Sequence, residues 1–254
     1  SYSAPLENRR NLLRLDFNEN TLGPSQKVYE AIKDINLNQI SIYPEYNLLK
    51  KFVSNHYYES RQFDSEEIGL FNGADAAINA IFNSFGDRDE IFLTTNPTFG
   101  YYSPCSEIQG MRKITCAYEG ENFLFPIKRF KEKIIKHKPK LIFICNPNNP
   151  TGTVLSAQEI IKLANLNKKS LIVVDELYEK FNGDSLLPVI DFKKIKNIVV
   201  IQSLSKTAGL AGLRIGFAFG HKSIMQYINK VTGPYDVNSF AVTAALAALN
   251  DKSY

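Results

Sequence analysis

The sequence predicts an α/β protein, a three-layer sandwich with a mostly parallel central sheet. Short apolar runs recur along the chain, namely EIGLF, EIFLTT, KITCAY, KLIFICN, SLIVVD, NIVVIQS and RIGFAFG, with helical segments between them. Most are continuously apolar rather than alternating, which is the pattern of strands covered on both faces. Strands that alternate with helices in this way imply helices packed on both sides of one sheet.

Taken in order, residues 1 to about 45 are loop-rich, with LDFNENTLGPS and SIYPEYN around a short helix, and read as an N-terminal arm with part of a small domain. Residues 46–235 hold the apolar runs and form the large domain. Within it, ADAAINAIFNSF and SAQEIIKLANLN read as helices, the second opening with a capping box from Ser156 to Glu159. Residues 236–254, DVNSFAVTAALAALNDKSY, read as the start of an interdomain helix. A small C-terminal domain is expected to follow it and is absent from this sequence.

With 254 residues and 44% hydrophobic content, the chain can bury a substantial core. No window approaches the roughly 18 apolar residues of a membrane span, and the start SYSAPLENRRNLL has no signal core. No membrane association is expected, and the cytoplasm is the expected location. Cys105, Cys116 and Cys145 are odd in number and widely spaced, which argues against a disulfide framework. His56, His137 and His221 lack metal-ligand spacing, so no metal is expected. The net charge of +4 is mild and its lysines follow helical faces, so no nucleic-acid partner is expected.

Open α/β sheets bind ligands beyond the carboxyl ends of their strands. Four such ends carry polar groups: Asn72-Gly73-Ala74-Asp75 after EIGLF, Asn149 in PNNPTG, Asp175 with Tyr178 after SLIVV, and Ser203, Ser205 and Lys206 after VVIQ. Each alone has an ordinary reading, as a helix start, a turn, a cap or a surface lysine. No G-x-G-x-x-G follows a strand and no P-loop is present. An amine, an acid, a phosphate cradle and neutral donors remain, the groups that pyridoxal 5'-phosphate needs.

The series FNGADAA, NPTFGYY, CNPNNPTGTV, VVDELYEKF and SLSKTAGLAGLRIGF resembles the fold type I pyridoxal-phosphate aminotransferases, in the branch of histidinol-phosphate aminotransferase. NENTLGPS and YPEYNLLKKF are similar to that branch as well. The resemblance implies that Lys206 bonds to the cofactor aldehyde and carries a proton. It implies that Asp175 pairs with the ring nitrogen, that Asn149 and Tyr178 donate to the ring oxygen, and that Phe99 stacks on the ring. It assigns the phosphate to the amides of Ala74 and Asp75, the hydroxyls of Ser203 and Ser205, and the guanidinium of Arg214. Tyr43 would reach the phosphate of a neighbouring subunit, which implies a homodimer with shared sites. Asn18 and Glu19 lie where the branch approaches substrate.

The family's acidic residue after Gly-Ala-Asp is Ala76 here, a change to which backbone amides are indifferent. The family's substrate-carboxylate arginine belongs to the expected C-terminal domain. The implied reaction moves an amino group from an amino acid to an oxo acid or phosphorylated oxo compound. Two other readings stand beside it: decarboxylation of a phosphorylated amino acid, as in the threonine-phosphate decarboxylases, and a non-catalytic cofactor-binding module. Lys206 and Arg214 would stand about 80° apart on an unbroken helix. Gly209 and Gly212 instead predict a bend that returns Arg214 to the two serines.

Overall fold

A computed structural model describes residues 7–57, 61–182 and 184–254 of the chain. Every apolar run is a strand: β1 (Ile68–Phe71), β2 (Ile91–Asn96), β3 (Arg112–Ala117), β4 (Leu141–Cys145), β5 (Leu171–Asp175), β6 (Ile198–Ser203) and β7 (Gly216–Gly220). They form one 7-stranded sheet in the order β1-β7-β6-β5-β4-β2-β3. Pairing is parallel from β6 to β3, while β7 is antiparallel to both β1 and β6.

Around the sheet lie helices α1 (Gln26–Lys33), α2 (Leu37–Ser41), α3 (Asn47–His56), α4 (Gly73–Phe85), α5 (Tyr102–Ile108), α6 (Ile127–His137), α7 (Ala157–Leu166), α8 (Lys222–Ile228) and α9 (Ser239–Asn250). Successive strand residues point to opposite faces, so each strand feeds two cores. Ile172 and Val174 of β5 join Phe130 of α6, Ile160 of α7 and Ala244 of α9 in one cluster. Leu171 and Val173 join Ile78 of α4, Tyr102 of α5 and Met225 of α8 in the other. The centre of the sheet is therefore dry on both faces, which explains why β4 and β5 are apolar without alternation.

The antiparallel strand β7 does most to bring distant segments together. A parallel return from β6 would need a crossover, usually a helix, to the far end of the sheet. The Leu204–Ile215 link contains only bends and a single 3-10 turn at Ala211–Leu213, so the chain turns back at the same end. Register then pairs Ser203 with Gly216, and Gly216 with Phe71. Three separate segments, 72–75, 203–206 and 214–216, meet at one edge of the sheet as a consequence.

One detail differs from the sequence reading and two add to it. Ser156 caps α7 by accepting from the Glu159 amide at 3.3 Å, but the reciprocal half of the capping box is missing. The Glu159 carboxylate is drawn instead to Lys131 (3.1 Å) and Lys162 (2.6 Å), because a cation offers more than one exposed amide. The arm is not wholly peripheral, since Val28 of α1 is fully buried in the first cluster. The terminal helix ends at Asn250, and Asp251 just beyond it binds Lys27 of α1 at 2.9 Å.

Candidate functional site

At the edge where those segments meet lies an open cleft of about 570 Å3. Its lining includes Ala74, Asp75, Phe99, Asn149, Tyr178, Ser205, Lys206 and Arg214, together with Asn18 and Glu19 of the arm. Ten of the residues singled out from sequence are thus brought to one surface. Asp175, Ser203 and Tyr43 are not on it.

Lys206 follows β6 in a loop without regular structure. Its ammonium donates to the Phe17 carbonyl at 2.6 Å. Burial lowers its pKa, against the opposing pull of Asp75 and Glu19. Partial desolvation thus favours the neutral amine, the form that can attack a carbonyl. The arm is seated on this loop, because Asn20 donates to the Thr207 carbonyl at 2.9 Å.

The opposite wall begins at α4. Its N-cap residue, Asn72, makes no side-chain cap, so the first-turn amides of Gly73, Ala74 and Asp75 keep the positive end of the helix toward the cleft. Gly73 has φ of +82°, and a Cβ there would collide with the Arg214 guanidinium. A Cβ at Gly216 would sit 2.6 Å from the Gly73 carbonyl carbon and 2.7 Å from the Ala74 nitrogen. Both glycines are required for strand β7 to press Arg214 against the helix start. Arg214, itself at φ +59°, donates to the Asp75 carboxylate at 2.9 Å.

The two serines differ in role. Ser203 is buried, and its hydroxyl donates to the Ile215 carbonyl at 2.8 Å. That oxygen also accepts from the Ser205 amide at 3.1 Å and lies 2.8 Å from the Ser205 hydroxyl. With its own proton committed to Ile215, Ser203 holds Ser205 in place, and Ser205 is the hydroxyl that lines the cleft. Ser203 itself points across the β6–β7 pair and is not among the residues lining the cleft.

Asp175 ends β5 behind the lining and is 2% exposed. Tyr102 donates to one carboxylate oxygen at 2.6 Å and the Leu177 amide to the other at 3.2 Å. Burial pushes its pKa up to about 6, although both hydrogen bonds and Lys206 favour the ionised form. Asn18 donates to the Tyr178 hydroxyl at 3.1 Å, tying the arm to the wall beside Lys206. Phe99 meets Tyr102 edge-on, with ring centroids 5.5 Å apart.

Tyr43 lies elsewhere, 69% exposed and stacked on Tyr235 at 4.0 Å. It is not part of the cleft lining of its own chain. Sequence reasoning misses Tyr102, although it stands in NPTFGYY, because a second aromatic in that motif reads as core. It also misses Arg9, which binds Asp16 (2.6 Å) and Glu19 (3.0 Å) and lies over the Phe17 ring. Arg9 clasps the arm into the turn that presents the Phe17 carbonyl. A backbone acceptor such as this leaves no signature in the sequence.

The donor set fits pyridoxal 5'-phosphate. Among the described residues one primary amine lines the cleft, a buried carboxylate stands behind it, and two glycines allow an arginine to close on bare helix amides. No group of side chains among the described residues could hold a metal ion.

A family model described as aminotransferase class I and II matches residues 10–254. The chain is 35% identical over 237 residues to a histidinol-phosphate aminotransferase of Caldanaerobacter subterraneus subsp. tengcongensis, covering 93% of this chain and 66% of that protein. The histidinol-phosphate aminotransferase of Sinorhizobium meliloti, solved with pyridoxal-5'-phosphate, superposes with a TM-score of 0.84 at 23% identity, over 94% of this chain and 64% of that one. The L-threonine-O-3-phosphate decarboxylase of Porphyromonas gingivalis superposes with a TM-score of 0.76 at 27% identity, over 93% and 71%. The chain spans slightly less than two thirds of the length of the first curated relatives it matches.

Proposed function

Since the chain belongs to the aminotransferase class I and II family, whose cofactor is pyridoxal 5'-phosphate, we propose that it moves an amino group from an amino acid to an oxo acid or phosphorylated oxo compound. The acceptor class follows the histidinol-phosphate aminotransferases that it resembles. The observation that carries the proposal is the meeting of Lys206, Arg214, Ser205 and the α4 amides at one cleft with Asp175 behind it.

When bound, the cofactor supplies an aldehyde carbon and a ring that accepts electrons. In this reading the Ala74 and Asp75 amides, the Ser205 hydroxyl and the Arg214 guanidinium hold its phosphate. Arg214 exchanges Asp75 for the anion, and a charge-assisted fork gains from the exchange. Asp175 would keep a proton at the ring nitrogen, Asn149 and Tyr178 would donate to the ring oxygen, and Phe99 would cover one ring face. Lys206, freed from its bond to Phe17, would hold the aldehyde end of the cofactor as a neutral amine and, once released, would carry a proton at Nζ. The arm, with Asn18 and Glu19, excludes water from this amine and meets the incoming amino acid.

Residues 46–235 serve in this reading as the large cofactor-binding domain, with 1–45 as an N-terminal arm and part of a small domain and 236–254 as the start of an interdomain helix. Three free, buried cysteines suit a reducing compartment such as the cytoplasm. No helix among the described residues is long and apolar enough to cross a membrane. A homodimer is supported by Tyr43, which stands among the exposed Leu37, Ile40, Ile42 and Leu48. Sedimentation equilibrium checks this, and a monomer at micromolar concentration contradicts it.

The reaction is tested by mixing the cofactor-loaded protein with a panel of amino donors, including phosphorylated amino alcohols. Release of the matching oxo product with the amino group left on the cofactor is expected. Release of carbon dioxide without amino transfer would assign the protein to decarboxylation, a reading kept by its likeness to the Porphyromonas enzyme. Neither product from any donor would reduce the site to a binding module.

A further inference from the structure

Tyr102 occupies an unusual position for a core aromatic. It opens α5, is 1% exposed, and lies between Phe99 on the cleft lining and Asp175 behind it. Its hydroxyl donates to Asp175 at 2.6 Å, while its ring meets the Phe99 ring edge-on at 5.5 Å. A third contact, to the Phe143 ring on β4 at 5.0 Å, anchors it to the sheet. Phe143 in turn stacks on Phe82 of α4 at 4.8 Å, so the tyrosine is wedged against rigid elements.

We propose that Tyr102 is a positioning residue that sets, through one side chain, both the Asp175 carboxylate and the Phe99 ring. The proposal rests on the cofactor reading for its function and on this geometry for its existence. Asp175 belongs to a strand end and Phe99 to the loop before α5, and no direct contact between them is needed. A fixed tyrosine makes the spacing between the ring-nitrogen partner and the stacking ring a property of the apo fold. Preorganisation of this kind removes the reorganisation that a cofactor would otherwise have to drive.

The chemistry of the pair suits the task. Burial raises the Tyr102 phenol well above its ordinary value, so it stays protonated and serves as a permanent donor. Other charged or titratable groups act on Asp175 too: Asp75 on α4 opposes its ionisation, Lys206 after β6 favours it, and the Cys145 thiol on β4 is kept neutral by burial. Of the two hydrogen bonds to Asp175, the one from Tyr102 is the shorter and the larger influence toward the ionised form. A carboxylate that must hold a proton on a neighbouring nitrogen has to be ionised first.

The test separates hydroxyl from ring, using Tyr102→Phe and Tyr102→Leu. In the cofactor-free protein, with aspartate carboxyl carbons labelled and the Asp175 signal assigned by its loss in Asp175→Asn, NMR titration follows the carboxylate directly. Tyr102→Phe should move the Asp175 midpoint upward by roughly one to two pH units, the worth of a hydrogen bond to a charged group. An unchanged midpoint overturns the proposal whether or not the cofactor binds. In the loaded protein, Tyr102→Phe should keep the visible circular dichroism of bound pyridoxal 5'-phosphate, and Tyr102→Leu should lose most of it as Phe99 is freed. Equal signals in both variants overturn the positioning of Phe99. A wild-type protein that takes up no cofactor refutes the functional reading alone.

Discussion

Replacing Lys206 with alanine is expected to abolish covalent retention of pyridoxal 5'-phosphate and to slow amino transfer by at least about 10²- to 10⁴-fold, the usual share of a positioned acid–base group. Among the described residues no other lysine lines the cleft, so no neighbouring amine can take over either role. The proposed phosphate contacts do not involve this side chain, and the variant should still bind the cofactor reversibly. Equilibrium dialysis measures that binding, and denaturing gel filtration after borohydride reduction measures covalent retention. A variant that retains cofactor through denaturation would contradict the assignment. The Phe17 contact adds a structural consequence, because the arm loses a 2.6 Å hydrogen bond. A net loss of roughly 1 kcal/mol is the ordinary scale of such a bond and should leave the fold intact.

Asp175→Asn is the second large effect. An amide matches the carboxylate in shape but cannot stabilise a protonated ring nitrogen. Breaking one side of a buried charge pair costs about 2–5 kcal/mol, or roughly 30- to 4,000-fold in affinity or rate. The wild-type protein carries its own version of this experiment in its pH dependence. Asp175 titrates near pH 6 in the cofactor-free fold because burial resists its charge. It is ionised above that value and protonated below it, so cofactor affinity should weaken as pH falls through about 6. A bound, positively charged ring nitrogen lowers the carboxyl pKa, which places the loss in the complex at lower pH than in the free protein. Fluorescence titration of cofactor binding between about pH 5 and about pH 8 spans this midpoint and checks both statements. The variant should give a flatter profile over the same range, and a wild-type profile that rises on acidification would refute the role given to Asp175.

The fold is open to reading because its central strands are buried on both faces. Phe143 and Ile144, one on each side of β4, are both apolar, and a run of that kind marks a central strand whatever the neighbouring order. The antiparallel β7 is less visible. What betrays it is the composition of its approach, where Gly209 has φ of +69° and a Cβ would meet the Gly23 backbone at 2.6 Å. A segment that needs such residues turns back rather than crosses over, and Arg214 returns to the start of α4 through the bend that Gly209 and Gly212 predict.

The placement of candidate site residues at strand ends is also legible, as Lys206 and Asn149 on the cleft and Asp175 behind it show. Three kinds of role are not. Ser203 and Ser205 are identical in type, and only the Ile215 carbonyl decides which one turns inward. Tyr102 reads as packing because its hydroxyl partner is 73 residues away. Phe17 acts through a carbonyl, and its presentation depends on an Arg9 clasp with Asp16 and Glu19. In each case the deciding partner is set by tertiary structure, which local pattern does not encode.

In the proposed site one amine, Lys206, bonds to the cofactor. Loading the protein with pyridoxal 5'-phosphate, reducing it with borohydride and mapping the peptides by mass spectrometry identifies that amine. A single modified peptide containing Lys206 is predicted, with modification lost in Lys206→Ala. Modification centred on any other lysine, or spread over many lysines at similar yield, would contradict the claim.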